Sequence, residues 1–104
     1  MKNIVAGHLY ELSNFENKET QGQTLQFIHK IPKELGSTEL LTVADGTTNE
    51  EVLEVLIDRL QYLQDKFPCK ENACAITHLQ EAQNWLERRT RDRLKRGVEG
   101  KQIK

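Results

Sequence analysis

Arginine is concentrated near the end of this 104-residue chain. Six cationic side chains lie between Arg88 and Arg96, and the one acidic side chain among them is Asp92. A guanidinium presents its donors in a planar fork, which suits the paired oxygens of a phosphate or a carboxylate. This cluster therefore predicts an anionic partner.

The arginines do not form a single stripe on a helical wheel. Arg89 and Arg93 lie on the flank of the apolar face, whereas Arg88 and Arg91 point elsewhere. A guanidinium beside a buried seam is desolvated and needs an anion. Arg89 and Arg93 are therefore candidate ligand-binding residues, and the other two are expected to be solvated, as is Lys95 in the last turn, where a cation also complements the helix dipole.

Asn72 lies near the start of the same helix, in line with Ile76 and Leu79. It precedes Arg89 by 17 residues, which is roughly 25 Å at the helical rise, too far for one chain to close both residues on a small ligand. Two antiparallel copies of the helix would place Asn72 of one subunit against Arg89 of the other, giving two identical pockets between subunits. A plain cap or solvent contact remains the alternative for this asparagine.

The spacing of the cysteines and histidines supports metal binding and catalysis less well than the arginines support anion binding. Cys74 and His78 are one turn apart with Cys69 upstream, but structural zinc needs four ligands and the chain has no second pair. His8, His29 and His78 fall on three separate predicted elements, and no serine or cysteine has a recognisable nucleophile context. The sequence therefore predicts no metal, no cofactor and no enzyme.

A nucleic-acid or protein-interaction module is the alternative function. The stretch R-R-T-R-D-R-L-K-R resembles a phosphate-binding surface, but the whole chain has a formal net charge of −1. Trp85 is the only aromatic side chain near this stretch that could stack on a base. The first 84 residues hold seven cations and 13 acids, whereas the last 20 hold eight and three. Such asymmetry favours an anionic ligand or head-to-tail self-association.

Two amphipathic helices must position these residues. Thr47 and Thr48 are alternative N-caps for the first, each with a glutamate three residues on, which is the capping-box pattern. This helix ends at Pro68, and the second runs from near Cys69 to a C-cap at Gly97. Because each helix has one apolar stripe to bury, the two are predicted to fold back as an antiparallel hairpin. The stripes are Leu53, Leu56, Leu60, Leu63 and Phe67, then Ala75, Ile76, Leu79, Ala82 and Leu86.

The first half of the chain predicts a small antiparallel sheet, so the fold class is α+β. Pro32 ends the second of its strand-like runs. Three such runs are separated by turns: residues 3–12, 23–31 and 38–43. We expect a single domain with a β-meander, a helical hairpin and a short tail, at 1–44, 46–97 and 98–104.

Nothing in the chain predicts a membrane span or a disulfide scaffold. No apolar run approaches the ~20 residues of a span, and His8 and Glu11 interrupt the apolar region that a signal peptide would need. Cys69 and Cys74 are too few for a stapled scaffold, and their positions at a helix start do not suit a bridge. A reducing cytoplasm is therefore expected. The core of so short a chain is lean, which favours an oligomer.

Several signatures together resemble the phage anti-Thoeris sponge family (Thoeris anti-defence protein one), whose hairpin is shared with the anti-CBASS sponge. They are C-x-E-N, L-x-E-A, R-T-x-x-R and G-V-E-G, within about residues 45–100. The resemblance implies a homodimer or a hexamer that sequesters a cyclic nucleotide signal, chiefly glyco-cyclic ADP-ribose, between subunits without cleaving it. It also implies action in the host bacterial cytoplasm, and in some relatives a second site for CBASS cyclic di- or trinucleotides.

The resemblance also implies which residues bind the ligand. Asn72 is the C-x-E-N asparagine, and Arg89, Thr90 and Arg93 belong to R-T-x-x-R. Family members often have an aromatic residue near the end of the first helix, where this chain has Leu63. Tyr62 and Phe67 are the alternatives for that contact. The tail G-V-E-G-K-Q-I-K also departs from the family, in which a threonine-histidine pair usually follows the second glycine.

Overall fold

The computed structural model describes residues 1–104 and has the predicted α+β fold. It divides into two compact units, Met1–Thr48 and Asn49–Lys104. The single-domain assignment stays a prediction. The strands are β1 (Lys2–Val5), β2 (Leu9–Glu11), β3 (Thr24–Gln26), β4 (His29–Pro32) and β5 (Leu40–Ala44), and the helices are α1 (Asn49–Lys66) and α2 (Lys70–Arg96).

The first strand-like run forms a hairpin of two strands, so the single strand predicted over residues 3–12 is wrong. Gly7 has a φ of 76°, and the His8 N–H donates to the Val5 carbonyl at 2.9 Å. A residue without a Cβ adopts this left-handed backbone at little cost, which permits the tight turn. Strand β2 also pairs with β3, with Tyr10 opposite Leu25, so the first sheet has the antiparallel order β1-β2-β3.

The run 23–31 also divides, because its two halves belong to different sheets. Strand β3 completes the first sheet, and β4 pairs antiparallel with β5 in a second, two-stranded sheet. Between β3 and β4, Phe27 pairs with Thr47. The Thr47 N–H donates to the Gln26 carbonyl, and the Thr47 carbonyl accepts from the Ile28 N–H, each at 2.9 Å. Gly46 permits this approach, since a Cβ there would lie 2.8 Å from the Phe27 carbonyl carbon. The predicted small antiparallel sheet of about three strands is confirmed, and the second, two-stranded sheet was not predicted.

The helical hairpin has the predicted limits. Helix α1 begins directly after Thr48, so that residue takes the N-cap position, and the helix ends before Pro68. Cys69 caps the start of α2, and Gly97 ends it with a φ of 73°. The Gly97 N–H donates to the carbonyls of the last turn, as in a left-handed C-cap.

The inner face of α2 is a half-buried stripe with alternating spacings of four and three residues, typical of a helix packed along a partner helix. Few apolar side chains are buried in the chain by itself: Ile57 is 9% exposed, whereas Val55, Trp85 and Phe67 are 62%, 66% and 79% exposed. Both helices carry too many polar side chains for either to serve as a transmembrane segment. The stripe comprises Asn72, Ile76, Leu79, Gln83, Leu86, Thr90 and Arg93.

Candidate anion-binding site

The turn between the helices is held by one glutamine. The Gln64 side-chain amide donates to the Cys69 carbonyl at 2.9 Å and accepts from the Cys69 N–H at 3.0 Å. The Cys69 Sγ then accepts from the Asn72 N–H at 3.4 Å. The bonds from the Cys69 and Asn72 N–H groups satisfy donors that a helix start leaves unpaired, and they fix where α2 begins.

The turn end of the hairpin presents one free amide and two exposed rings. Asn72 is half-buried, and its side-chain amide makes no hydrogen bond within the chain. Leu63 is half-buried, and Phe67, whose N–H donates to the Leu63 carbonyl, is 79% exposed. Tyr62 lies under the Lys66 ammonium, 4.7 Å from the ring centroid. An amide that can both donate and accept suits a base or a ribose edge, and apolar side chains at the same end of the hairpin suit the face of a base.

The two candidate arginines at the other end of α2 differ in burial. Arg89 is exposed and has no hydrogen-bond or ion-pair partner within the chain, Thr90 is half-buried, and Arg93 is only 5% exposed. The expectation of a desolvated guanidinium is therefore confirmed for Arg93 and wrong for Arg89. The wheel places both beside the seam, but only Arg93 continues the half-buried stripe.

Arg93 is buried because the segment that follows α2 folds back over it. Its Nη2 donates to the carbonyls of Val98 at 2.8 Å and Lys101 at 2.7 Å, and its Nη1 donates to the carbonyl of Ile103. Its Nε lies 3.6 Å from a Glu99 carboxylate oxygen. The tail was predicted only to follow the helix, but it folds around the Arg93 side chain.

The remaining cations of α2 lie at the surface. The Arg88 guanidinium lies over the Trp85 ring, 5.2 Å from its centroid, and Arg96 pairs with Asp92 at 3.0 Å. Arg91 is exposed, without a partner in the chain, as expected. Only Arg89 and Arg91 among these arginines therefore present an unengaged guanidinium.

The three histidines are divided between the two units. The His8 and His29 rings stack on each other in the sheet unit, with centroids 3.7 Å apart. His78 lies on the exposed face of α2, 3.7 Å from a Glu81 carboxylate oxygen. No three His, Cys, Asp or Glu side chains are placed together as they would be around a metal ion.

The candidate residues thus form two groups at opposite ends of α2. Leu63, Phe67 and Asn72 lie at the turn end, and Arg89, Thr90 and Arg93 lie roughly 25 Å away along the axis. One chain does not bring the groups together. Neither the role of Gln64 nor the carbonyls around Arg93 were predicted from the sequence. Two glycines three residues apart, Gly97 and Gly100, with φ of 73° and 78°, are the signal that the tail turns back.

Comparison with known proteins places this architecture in a family. The family model described as "Acb2/Tad1, hairpin domain" matches residues 21–91. A curated relative, "Thoeris anti-defense 1" of Bacillus phage SBSphiJ7, is 53% identical over 58 residues, which are 55% of this chain and 41% of the relative. The chain therefore spans less than half the length of that relative. Since the family model covers the turn, all of α1 and most of α2, the chain belongs to the Acb2/Tad1 hairpin family.

Proposed function

We propose that the protein binds and sequesters a cyclic nucleotide immune signal, chiefly glyco-cyclic ADP-ribose, and so inhibits bacterial anti-phage defence. The name of the phage relative supports the anti-defence role. The separation of the two groups on α2 supports the manner of binding, because each offers half of what a nucleotide needs. The proposed site of action is the cytoplasm of the host bacterium, where the signal is made.

The chemistry of each group fits one part of such a ligand. Arg89 and Arg93 can engage pyrophosphate oxygens through their donor forks, with the Thr90 hydroxyl beside them. Asn72 can bond a base or ribose edge through its donor and acceptor together. The apolar side chains at the turn end, Leu63 or Phe67, would pack on the base.

A homodimer, or a hexamer built as a trimer of dimers, would complete the pocket. Antiparallel α2 helices from two subunits would bring Asn72 of one chain to the arginines of the other, twice by symmetry. The exposed Val55, Trp85 and Phe67 support assembly, because burying such side chains is favourable. Contacts between dimers would form the second site, for CBASS cyclic di- or trinucleotides.

Binding without cleavage is the proposed outcome, because cations and an amide hold and orient a pyrophosphate. None of the residues assigned to the ligand is a histidine, cysteine, aspartate or glutamate. Protein incubated with glyco-cyclic ADP-ribose and then heat-denatured should release intact ligand. Recovery of a hydrolysed product would contradict sequestration and favour an enzyme.

Calorimetric titration of single variants tests the assignment of residues. Arg89→Ala and Asn72→Ala should each weaken binding of glyco-cyclic ADP-ribose by about 10–100-fold, because each removes hydrogen bonds to a charged or buried ligand group. Arg91→Ala is the matched control and should bind as the wild type does. Light scattering supplies a second measurement, in which a strict monomer would contradict the intersubunit pocket.

A nucleic-acid-binding module is the second candidate, and the Trp85–Arg88 pair favours it. The Trp85 ring is 66% exposed with a guanidinium over it, an arrangement that can stack a base and neutralise a phosphate. This function predicts salt-sensitive binding of DNA or RNA that falls by a similar factor whichever arginine is removed. Selective loss with Arg89→Ala but not Arg91→Ala would reject it.

A further inference from the structure

Segment 98–104 accepts hydrogen bonds from the Arg93 guanidinium, which the proposed function assigns to a phosphate. A guanidinium has five N–H donors, and in Arg93 the carbonyls of Val98, Lys101 and Ile103 take three of them. The fourth, on Nε, faces Glu99. A bidentate phosphate contact needs two donors side by side, and only one N–H, on Nη1, is left. Arg93 therefore cannot hold the docked segment and grip a phosphate at once.

We propose that segment 98–104 is an internal competitor for Arg93. In the unliganded chain its backbone carbonyls hold the guanidinium, and a pyrophosphate group of the ligand displaces them. The inference rests on the proposed function in one respect, that the ligand brings an anion to Arg93. It adds that the anion takes the place of segment 98–104 at the Arg93 guanidinium.

The charges favour this exchange for an anion and oppose it for a neutral molecule. Backbone carbonyls are neutral acceptors, whereas a phosphate oxygen adds direct attraction between opposite charges and can accept the two parallel bonds of the guanidinium fork. The nearest carboxylate, that of Glu99, lies 3.6 Å from Nε, longer than a hydrogen bond. Glu99 thus forms an ion pair with the buried cation without a hydrogen bond, and an anionic ligand can replace both this pair and the carbonyls.

The contacts of the segment allow it to leave without unfolding the hairpin. Residues 99–104 are exposed. Apart from its bonds to the Arg93 guanidinium, the segment makes two short-range backbone bonds. The Val98 N–H donates to the Arg93 carbonyl at 3.0 Å, and the Lys101 N–H donates to the Val98 carbonyl at 3.1 Å. The first belongs to the C-cap of α2, so the segment can release beyond it.

A pair of substitutions releases the segment without touching Arg93. Glu99→Gln removes the carboxylate, and Gly100→Val places a β-branched residue at a φ of 78°, which it adopts poorly. Gly36→Val is the matched control, because Gly36 also has a φ of 78° and nothing within 4 Å of an added Cβ. The double variant should bind glyco-cyclic ADP-ribose about fivefold more tightly, because a larger fraction of the protein then has the Arg93 guanidinium free for the ligand. Gly36→Val should bind as the wild type does.

Trypsin cleavage after Lys101 tests the exchange even without the cyclic nucleotide. The Lys101 carbonyl accepts from Arg93, so the protease must wait for release of the segment. Inorganic pyrophosphate should speed loss of residues 102–104 from the wild-type protein, measured by mass spectrometry, while cleavage after Lys18 keeps its rate. Slower or unchanged cleavage would overturn the proposal, as would equal or weaker ligand binding by the double variant. If no form binds the cyclic nucleotide but pyrophosphate still speeds cleavage, the proposed function fails and the exchange at Arg93 stands.

Discussion

The two ends of α2 are stabilised by different interactions. At the turn end, Gln64 and Cys69 pair with backbone groups within five residues of themselves. At the other end, Arg93 collects carbonyls five, eight and ten residues further along the chain. The turn end is therefore closed by local capping, whereas the arginine end depends on one buried cation.

This difference determines which groups remain available to a ligand. Because backbone groups and Gln64 satisfy the turn end, the Asn72 side chain is left free. At the arginine end, Arg93 both closes the structure and is proposed to bind phosphate, so that of the two arginines assigned to the ligand only Arg89 is free in advance. Binding at the turn end thus needs no rearrangement, but binding at Arg93 does.

The largest expected effect on stability comes from removing the buried cation. Arg93→Met should lower the free energy of unfolding by about 2 kcal/mol, because three carbonyls lose their donor. Hydrogen exchange at residues 98–103 should rise, while the Asn72 amide at the other end keeps its protection. Stability is measured by urea denaturation at one fixed protein concentration, since assembly would contribute to it.

Two further variants sharpen this result. Arg93→Lys keeps the charge but loses the planar fork, so it should fall between wild type and Arg93→Met. Arg91→Met removes an exposed arginine and should change stability by less than about 0.5 kcal/mol. Unchanged exchange of residues 98–103 in Arg93→Met would show that the segment does not depend on the cation.

A smaller loss is expected at the turn. Gln64→Ala removes both bonds to Cys69 and should lower the free energy of unfolding by about 1 kcal/mol, since the Cys69 carbonyl keeps its bond from the Ala73 N–H and the Cys69 N–H can turn to water. Gln80→Ala, at an exposed position of α2, is the control. The exchange of residues 98–103 should not respond to either variant. A response there would mean that the two ends are coupled.

The same contrast explains what could be predicted from sequence. Helix limits depend on local chemistry, so the caps at Cys69 and Gly97 and the break at Pro68 were predictable from residue types. Strand limits were harder to predict: a local turn at Gly7 divides one predicted strand into a hairpin, and the approach of the distant Gly46 to Phe27 divides another between two sheets. The docking of residues 98–104 on Arg93 was not predicted because the acceptors are backbone carbonyls, which every residue carries. The roles of Asn72, Arg89, Thr90, Arg93, Leu63 and Phe67 in ligand binding stay predictions.

The smallest expected effect is a gain in stability at the N-cap of α2. Cys69 Sγ accepts from the Asn72 N–H at 3.4 Å, but sulfur is a weak acceptor and serine is among the preferred N-cap residues. Cys69→Ser should raise the free energy of unfolding by about 0.5 kcal/mol, and Cys69→Ala should lower it by a similar amount. Cys74→Ser is the control, because Cys74 lies within the helix and caps nothing. If Cys69→Ser proved destabilising, the thiol would be serving as an apolar group, and local capping would rest on Gln64 alone.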